Sequence, residues 1–216
     1  NLADFAAGAD AWLLPIVKLP SEAKRLKKIT QVAPGNLWGG WLKDSGQSGI
    51  KRNVQAGCDY VVYTAADTSL KVLENDELGK VLAVEASLDE GLLRAIAGLP
   101  ADAVMVYGEP LKGSMLTWRH LMLFKRFASL VAQPLLVPVP AAVSAKDLQT
   151  VWEAGVMGVV VEVTDKQPLN RLKELRRLID KLTPPSSSKR GEMQAVVPGV
   201  TAEAGPASFE EDEEEE

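Results

Sequence analysis

Short runs of apolar residues alternate with longer amphipathic stretches along most of the chain. The runs are rich in Val, Leu and aromatic residues, which is typical of strands that are buried on both faces of a parallel sheet. Successive runs begin roughly 20 to 30 residues apart, the repeat length of strand–helix units. Seven strands are predicted, at 11–17, 37–43, 60–64, 81–85, 103–107, 135–139 and 158–161.

The intervening stretches place apolar residues three and four positions apart, which predicts helices. Ser144 is a favourable N-cap for one of them, and Gly155 follows it where a helix ends in the left-handed conformation. Gly39 and Gly40 lie inside the second strand and predict room for the bulk of a nearby tryptophan. Helices are predicted at 21–31, 69–78, 89–98, 117–131, 145–154 and 169–182, with a short helix at 50–57 and a helix end at 2–7.

The most regular part of the pattern is 134–163, in which a strand, a helix and a second strand follow one another without interruption. Its residues 154–161, AGVMGVVV, are similar to the junction that leads into strand eight of the phosphate-binding (β/α)8 barrels. This family includes tryptophan-pathway barrels and flavin-dependent oxidoreductases. The resemblance implies an α/β fold of the (β/α)8, or TIM-type, class. Counted against the family, the strand at 11–17 is strand two, so we expect strand one to be missing from this chain.

The glycines that bind phosphate in this family are replaced here. Ala141 and Ala142 stand where the family has Gly-Gly, and Glu162 and Val163 stand where it has Gly-Ser or Gly-Thr. The alanine side chains obstruct in part the close approach of backbone N–H groups to a phosphate, and the Glu162 carboxylate would repel a dianion. The sequence therefore predicts an eroded phosphate site that does not bind flavin mononucleotide or a sugar phosphate in the manner of the family.

Candidate chemistry in such a fold lies on the loops that follow the strands, at the C-terminal mouth of the barrel. Lys43 could serve there as a Schiff-base nucleophile or acid, with Glu85 or Glu109 as the base. Three or more carboxylates could instead hold Mg²⁺, although no metal ligand is assigned. The alternative is that strand ends are polar because they meet water. The candidate ligand-binding residues are Lys18, Asp44, Asp67, Ala141, Ala142 and Glu162.

The charge of the chain is unevenly distributed. Nine of the 29 acidic residues but only two of the 24 basic residues lie beyond residue 182, so 1–182 carries a net charge of +2. We expect 1–182 to form the barrel domain and 183–216, which is rich in Pro, Ser and Glu, to be a disordered acidic tail. The run 210–216 could bind a basic protein partner or only aid solubility. The nearly neutral domain offers no basic face for nucleic acid.

Several classes of protein and of site are excluded by composition. No apolar run approaches the length of a membrane span, and the first residues lack the pattern of a secretory signal, so a cytoplasmic location is expected. Cys58, the single cysteine, cannot form an internal disulfide and is predicted to be a packing residue. His120, the single histidine, lies in a predicted helix of the outer ring and is expected to be partly exposed, away from the mouth.

Two functions from different classes stay open. In the first, which we favour, the barrel is degenerate or not an enzyme and acts through partners. In the second it is a lyase or isomerase that acts on a small carbonyl or carboxylate compound at the mouth, with Lys43, Glu85 and Glu109 as the catalytic residues. The substrate, any cofactor and the identity of a partner are beyond the sequence.

Overall fold

The computed structural model describes residues 8–16, 37–42, 57–108, 115–163 and 170–184. Seven β-strands run through them: β1 (Ala11–Ile16), β2 (Leu37–Leu42), β3 (Tyr60–Thr64), β4 (Gly79–Glu85), β5 (Ala103–Tyr107), β6 (Leu135–Pro138) and β7 (Gly158–Val160). The α-helices in the same residues are α1 (Glu90–Ile96), α2 (Trp118–Leu130), α3 (Ala145–Glu153) and α4 (Asn170–Ile179). None of these helices is long and apolar enough to cross a membrane.

The predicted strands agree with β1 to β7, with differences of one or two residues at the ends. The predicted helix at 69–78 is wrong, because the structure has only a 3-10 helix, Leu70–Glu74, that Ser69 caps. The next strand begins at Gly79, directly after the predicted helix. The helices predicted at 2–7, 21–31 and 50–57 lie largely or wholly outside the described residues.

Each strand pairs in parallel with the strand that precedes it and the strand that follows it, in the order β1 to β7. In a doubly wound sheet the chain adds strands first toward one edge and then toward the other, so sequential strands are not all neighbours in order. The order β1 to β7 excludes that architecture and agrees with a curled, barrel-type sheet. The strands β1 and β7 stand at the two ends of the order. That strand one of a full barrel is missing remains a prediction.

The hydrophobic core has two parts because successive residues of a strand point to opposite faces of the sheet. The larger part contains Val61, Val104, Phe124 and Phe127 and joins the sheet to the helices. The smaller part lies on the other face of the sheet, which is the inner face of a barrel. Its buried members are Val62, Val81, Ala83 and Met105, with Leu13, Trp41, Tyr60, Ala103, Tyr107, Leu136 and Val160 packed against them.

Tyr60 closes the inner face between β1 and β3. Its ring lies over Gly39, and a Cβ atom added to Gly39 would stand 2.2 Å from Cε2 of that ring. The Tyr60 hydroxyl donates a hydrogen bond to the Trp12 carbonyl at 2.8 Å. The predicted room beside Gly39 is therefore filled by a tyrosine of the neighbouring strand and not by a tryptophan.

The only histidine and the only cysteine are both buried. The prediction that His120 is partly exposed is wrong, because it occupies the N3 position of α2 and its Nδ1 accepts a hydrogen bond from the Thr117 N–H at 3.0 Å. Cys58 is a free thiol in the larger core, as predicted. Burial raises its pKa to about 11, so the group is not a reactive thiolate at neutral pH.

Candidate functional site

Glu85 and Tyr107 end neighbouring strands and are paired in the register of β4 and β5. The Tyr107 hydroxyl donates a hydrogen bond to Oε1 of Glu85 at 3.3 Å, and the Ser87 hydroxyl donates one to Oε2 at 3.2 Å. Side chains alternate between the two faces along each strand. Val81, Ala83 and then Glu85 therefore lie on the inner face in β4, and Tyr107 lies on the same face in β5. The result is a carboxylate held by two hydroxyl groups at the carboxyl edge of the sheet.

An aromatic pair stands beside this carboxylate. The rings of Trp41 and Tyr107 meet edge to face, with centroids 5.8 Å apart and an angle of 82° between their planes. Both rings pack against the inner part of the core. The aromatic pair therefore separates the polar edge from the apolar interior and fixes the position of the Tyr107 hydroxyl.

Asp67 belongs to the same group of residues. It accepts a hydrogen bond from the Thr64 hydroxyl at 3.2 Å, just beyond the end of β3. The pKa of Tyr107 is raised above its usual value, first by burial, then by the charge of Glu85 and its hydrogen bond, and also by the charge of Asp67. The structure thus joins Glu85 to the Tyr107 hydroxyl, and Asp67, the other candidate from the sequence, acts on this phenol through its charge.

Arg171 holds the turn that follows β6. Its Nε donates to the Ala141 carbonyl at 2.5 Å, and its Nη2 donates to the Val143 carbonyl at 2.8 Å. A third bond runs from Nη1 to the Glu174 carboxylate at 3.0 Å. Arg171 lies in the first turn of α4, so the last helix fixes the conformation of the turn that carries Ala141 and Ala142.

The start of α3 is closed by its own side chains. The Asp147 carboxylate accepts hydrogen bonds from the Ser144 N–H at 3.2 Å and the Ser144 hydroxyl at 2.7 Å. The Ser144 hydroxyl oxygen accepts in turn from the Asp147 N–H at 3.2 Å, and the Val143 N–H bonds to the Pro140 carbonyl at 3.0 Å. Three N–H groups that could face an anion here already have partners within the chain.

The remaining candidate residues are distributed as follows. Glu162 is exposed and lies two residues beyond β7. Lys18, Lys43, Asp44 and Glu109 lie outside the described residues. Within the described part of the chain, no three His, Cys, Asp or Glu side chains come close enough to hold a metal ion.

Sequence reasoning gave no role to Tyr107, Ser87 or Arg171. Tyr107 could have been found, because it ends a predicted strand beside the strand that Glu85 ends, and parallel strands align their ends. Ser87 follows Glu85 by two residues, a spacing too common to be a signal. Arg171 lies 30 residues from Ala141, and no local pattern indicates that they meet.

Comparisons place this geometry among known folds. No protein-family model and no curated protein matches the chain. Solved structures do match. Phosphoribosyl anthranilate isomerase from Thermus thermophilus is 13% identical, with a TM-score of 0.60 over 83% of this chain and 92% of that one. YdjI aldolase from Escherichia coli K12 is 12% identical, with a TM-score of 0.57 over 82% of each chain. Mandelate oxidase with benzoyl-formic acid is 15% identical, with a TM-score of 0.57 over 82% of this chain and 65% of that one.

The fold is of the TIM-barrel type. All three structures are less than one-sixth identical to this chain, so the likeness concerns the fold and not the activity. In TIM barrels the active site lies at the C-terminal ends of the strands. The group formed by Asp67, Glu85 and Tyr107 occupies that edge of the sheet, and it is the candidate site of this TIM-barrel-type protein.

Proposed function

We propose that this TIM-barrel-type protein does not bind a phosphate-bearing substrate or flavin and acts through a protein partner. The observation that supports the proposal is the structure of the turn after β6. Arg171 ties the turn through the carbonyls of Ala141 and Val143, and the Asp147 carboxylate accepts hydrogen bonds from the N–H and the hydroxyl of Ser144 at the start of α3. A phosphate bound at this helix start would need the Ser144 N–H as a donor.

Electrostatics argue in the same direction. The positive end of a helix dipole attracts an anion, but at α3 a carboxylate of the chain itself already stands there. Asp147 and a phosphate dianion would repel each other, and so would Glu162 and the dianion if the site has the geometry of the family. Like charges that are poorly solvated cost several kcal/mol, which exceeds what one helix end offers.

Titration calorimetry at low salt tests the proposal. Wild-type protein is expected to give no binding heat with flavin mononucleotide or ribose 5-phosphate. The variant that combines Ala141→Gly, Ala142→Gly and Glu162→Gly is expected to gain weak affinity, with a Kd of about 1 mM, since backbone approach is reopened and one repulsion is removed.

A matched control is Glu162→Gln, which removes the charge without reopening the backbone. It should bind no more than the wild type does. Tight binding of either ligand by the wild-type protein would show that the phosphate site is intact and would place an enzymatic function first.

A second function is favoured by the hydrogen bond between Tyr107 and Glu85. A phenol that donates a hydrogen bond to a carboxylate can serve as an acid toward a bound carbonyl compound, which is the proton transfer that a lyase or isomerase requires. Lys43 and Glu109, proposed from the sequence, would complete this site. Each is separated in sequence by only two residues from an aromatic member of the site, Trp41 or Tyr107.

The hydrogen bond of this pair leads to a separate prediction. Glu85→Gln is expected to lower the pKa of Tyr107, because the charge that disfavours the phenolate is lost while burial and Asp67 remain. Phenolate absorbance, followed against pH and compared with Tyr107→Phe, measures this pKa. The control is Glu90→Gln, which removes an exposed carboxylate of α1 and should leave the pKa of Tyr107 unchanged. An unchanged pKa in Glu85→Gln would remove the basis of the proton-transfer hypothesis.

A further inference from the structure

One face of helix α2 exposes large apolar side chains. Trp118 and Met122 are 81% and 70% exposed, and Met115, just before the helix, is 73% exposed. Trp118, Met122, Lys125 and Ser129 follow one another at spacings of four, three and four residues, so they form a single stripe along the helix. We call these four residues the α2 stripe. The opposite face of α2 is buried through His120, Phe124 and Phe127.

A shallow groove runs along the α2 stripe and is lined mainly by apolar atoms. The Arg126 side chain, which lines the groove, is held in place by two contacts. Its guanidinium donates to the Leu88 carbonyl and lies over the Phe127 ring, 5.5 Å from its centroid. An exposed apolar groove with a fixed wall is typical of a surface that binds another protein. The lining residues are Trp118, Leu121, Met122, Lys125, Arg126 and Ser129.

The charged side chains of helix α2 are all basic. It contains Arg119, Lys125 and Arg126 and no acidic residue, whereas α1, α3 and α4 each contain at least one Asp or Glu. Two copies of this surface placed face to face would bring lysine against lysine or arginine. The charge therefore argues against a symmetric dimer through α2 and favours an acidic occupant.

We infer that the α2 stripe binds an amphipathic helix of a partner protein, in which acidic residues flank a row of apolar residues. The inference rests on the proposed action through a partner and names the surface and the chemistry of that partner. Apolar side chains at positions 118 and 122 form one of the ridges that pack into the grooves of a facing helix. Lys125 and Arg126 lie at the border, where opposite charges steer the approach and set the register.

The experiment uses the full chain and a synthetic peptide of about four helical turns, with leucines at helical spacing and glutamates on both sides of them. Binding is followed by the anisotropy of a labelled peptide and by the total tryptophan emission of the protein, which should shift to shorter wavelength as the exposed Trp118 ring leaves water. The matched peptide has every glutamate replaced by glutamine. Wild-type protein should bind the acidic peptide about tenfold more tightly than the matched peptide.

Three variants locate the contact. Met122→Glu should abolish binding, because it places a like charge in the centre of the surface, whereas Met122→Leu should retain it. Lys125→Glu should lower the affinity for the acidic peptide by about tenfold. The same variant should bind a peptide that has lysine in place of glutamate. All three substitutions are at exposed positions, so an unchanged unfolding midpoint will show that the fold is intact.

Three results of the binding experiments would overturn the inference. They are the absence of saturable binding, binding that Met122→Glu leaves intact, and binding to anionic lipid vesicles that is stronger than binding to the peptide. None of them bears on the calorimetric test of the phosphate site, so a failed docking surface and a failed functional proposal can be told apart. Sedimentation of the wild-type protein as a dimer that Met122→Glu dissociates would also overturn it, in favour of a second copy as the occupant.

Discussion

Replacing Gly39 with alanine is expected to lower the free energy of unfolding by about 2 to 4 kcal/mol, from overpacking together with the loss of a hydrogen bond. A Cβ atom at this position would lie within 2.4 Å of three atoms of the Tyr60 ring, and the ring cannot yield without leaving its place. Displacement would break the bond from the Tyr60 hydroxyl to the Trp12 carbonyl. Strand β2 lies between β1 and β3, so the strain acts on three strands at once.

Chemical denaturation with fluorescence detection measures this effect. Gly98→Ala is the matched control, since its Cβ would meet nothing closer than the Ala95 carbonyl at 3.9 Å, and it should change stability by less than about 0.5 kcal/mol. Tyr60→Phe removes only the hydrogen bond to the Trp12 carbonyl and should lower the free energy of unfolding by about 1 kcal/mol. If the clash is the cause, Gly39→Ala combined with Tyr60→Ala should cost less than the sum of the two single changes. Strictly additive costs would contradict it.

The strands could be predicted from the sequence because each is a continuous apolar run, and a parallel sheet covered on both faces requires such runs. The runs at 81–85 and 103–107 contain no internal polar residue and lie in the centre of the sheet, where Val84 and Val104 are buried. The same rhythm also fits a doubly wound sheet, so it does not determine the order of the strands. The barrel-type sheet was predicted from the resemblance of 154–161 to the phosphate-binding barrels.

The contacts that shape the candidate site were not predictable in the same way. Gly39 indicates a close neighbour, but Tyr60 reaches it from another strand, and three tryptophans nearby are equally large. The sequence around His120 is that of an ordinary helix residue. Its ring is nevertheless buried, and its Nδ1 accepts the capping hydrogen bond from the Thr117 N–H. Pairings over many residues depend on packing in three dimensions, and a single sequence does not record them.

The candidate site could also be predicted only as far as general rules of the fold allow. The carboxylates Asp67 and Glu85 were found because they follow strands, and that rule holds for any barrel. The sequence also showed that Ala141 and Ala142 replace glycines. It did not show that Arg171 binds the carbonyls of this turn.

Raising the pH from 9.0 to about 11 is expected to destabilise the protein. Burial raises the pKa of the Cys58 thiol from 9.0 to about 11, and burial, with the nearby Cys58 and Asp59, raises that of Tyr60 from 10.0 to about 12. Both groups are neutral when protonated, so the folded protein retains protons that the unfolded chain releases. Stability from Cys58 is fully present below its unfolded pKa and is lost as the pH rises from 9.0 to about 11.

The expected size follows from the shift at Cys58. One pKa unit corresponds to about 1.4 kcal/mol, so the two-unit shift contributes up to about 3 kcal/mol that disappears over this range. Tyr60 is only partly buried and adds a smaller loss at higher pH, between 10.0 and about 12. Urea unfolding at intervals from about pH 8 to about pH 11 should show a midpoint that falls steadily, with proton release on unfolding.

Two variants separate the groups responsible. Cys58→Ala removes the thiol, so its stability should fall much less between pH 9.0 and about 11, whatever its stability at neutral pH. Tyr60→Phe keeps the ring over Gly39 and should flatten only the upper part of the curve, because the phenol begins to ionise in the unfolded chain near pH 10.0. A wild-type curve that stays flat to about pH 11 would mean that water reaches the Cys58 thiol. The core around β2 and β3 would then be more open than its burial indicates, because a thiol sealed against Trp38 and Tyr60 must resist ionisation.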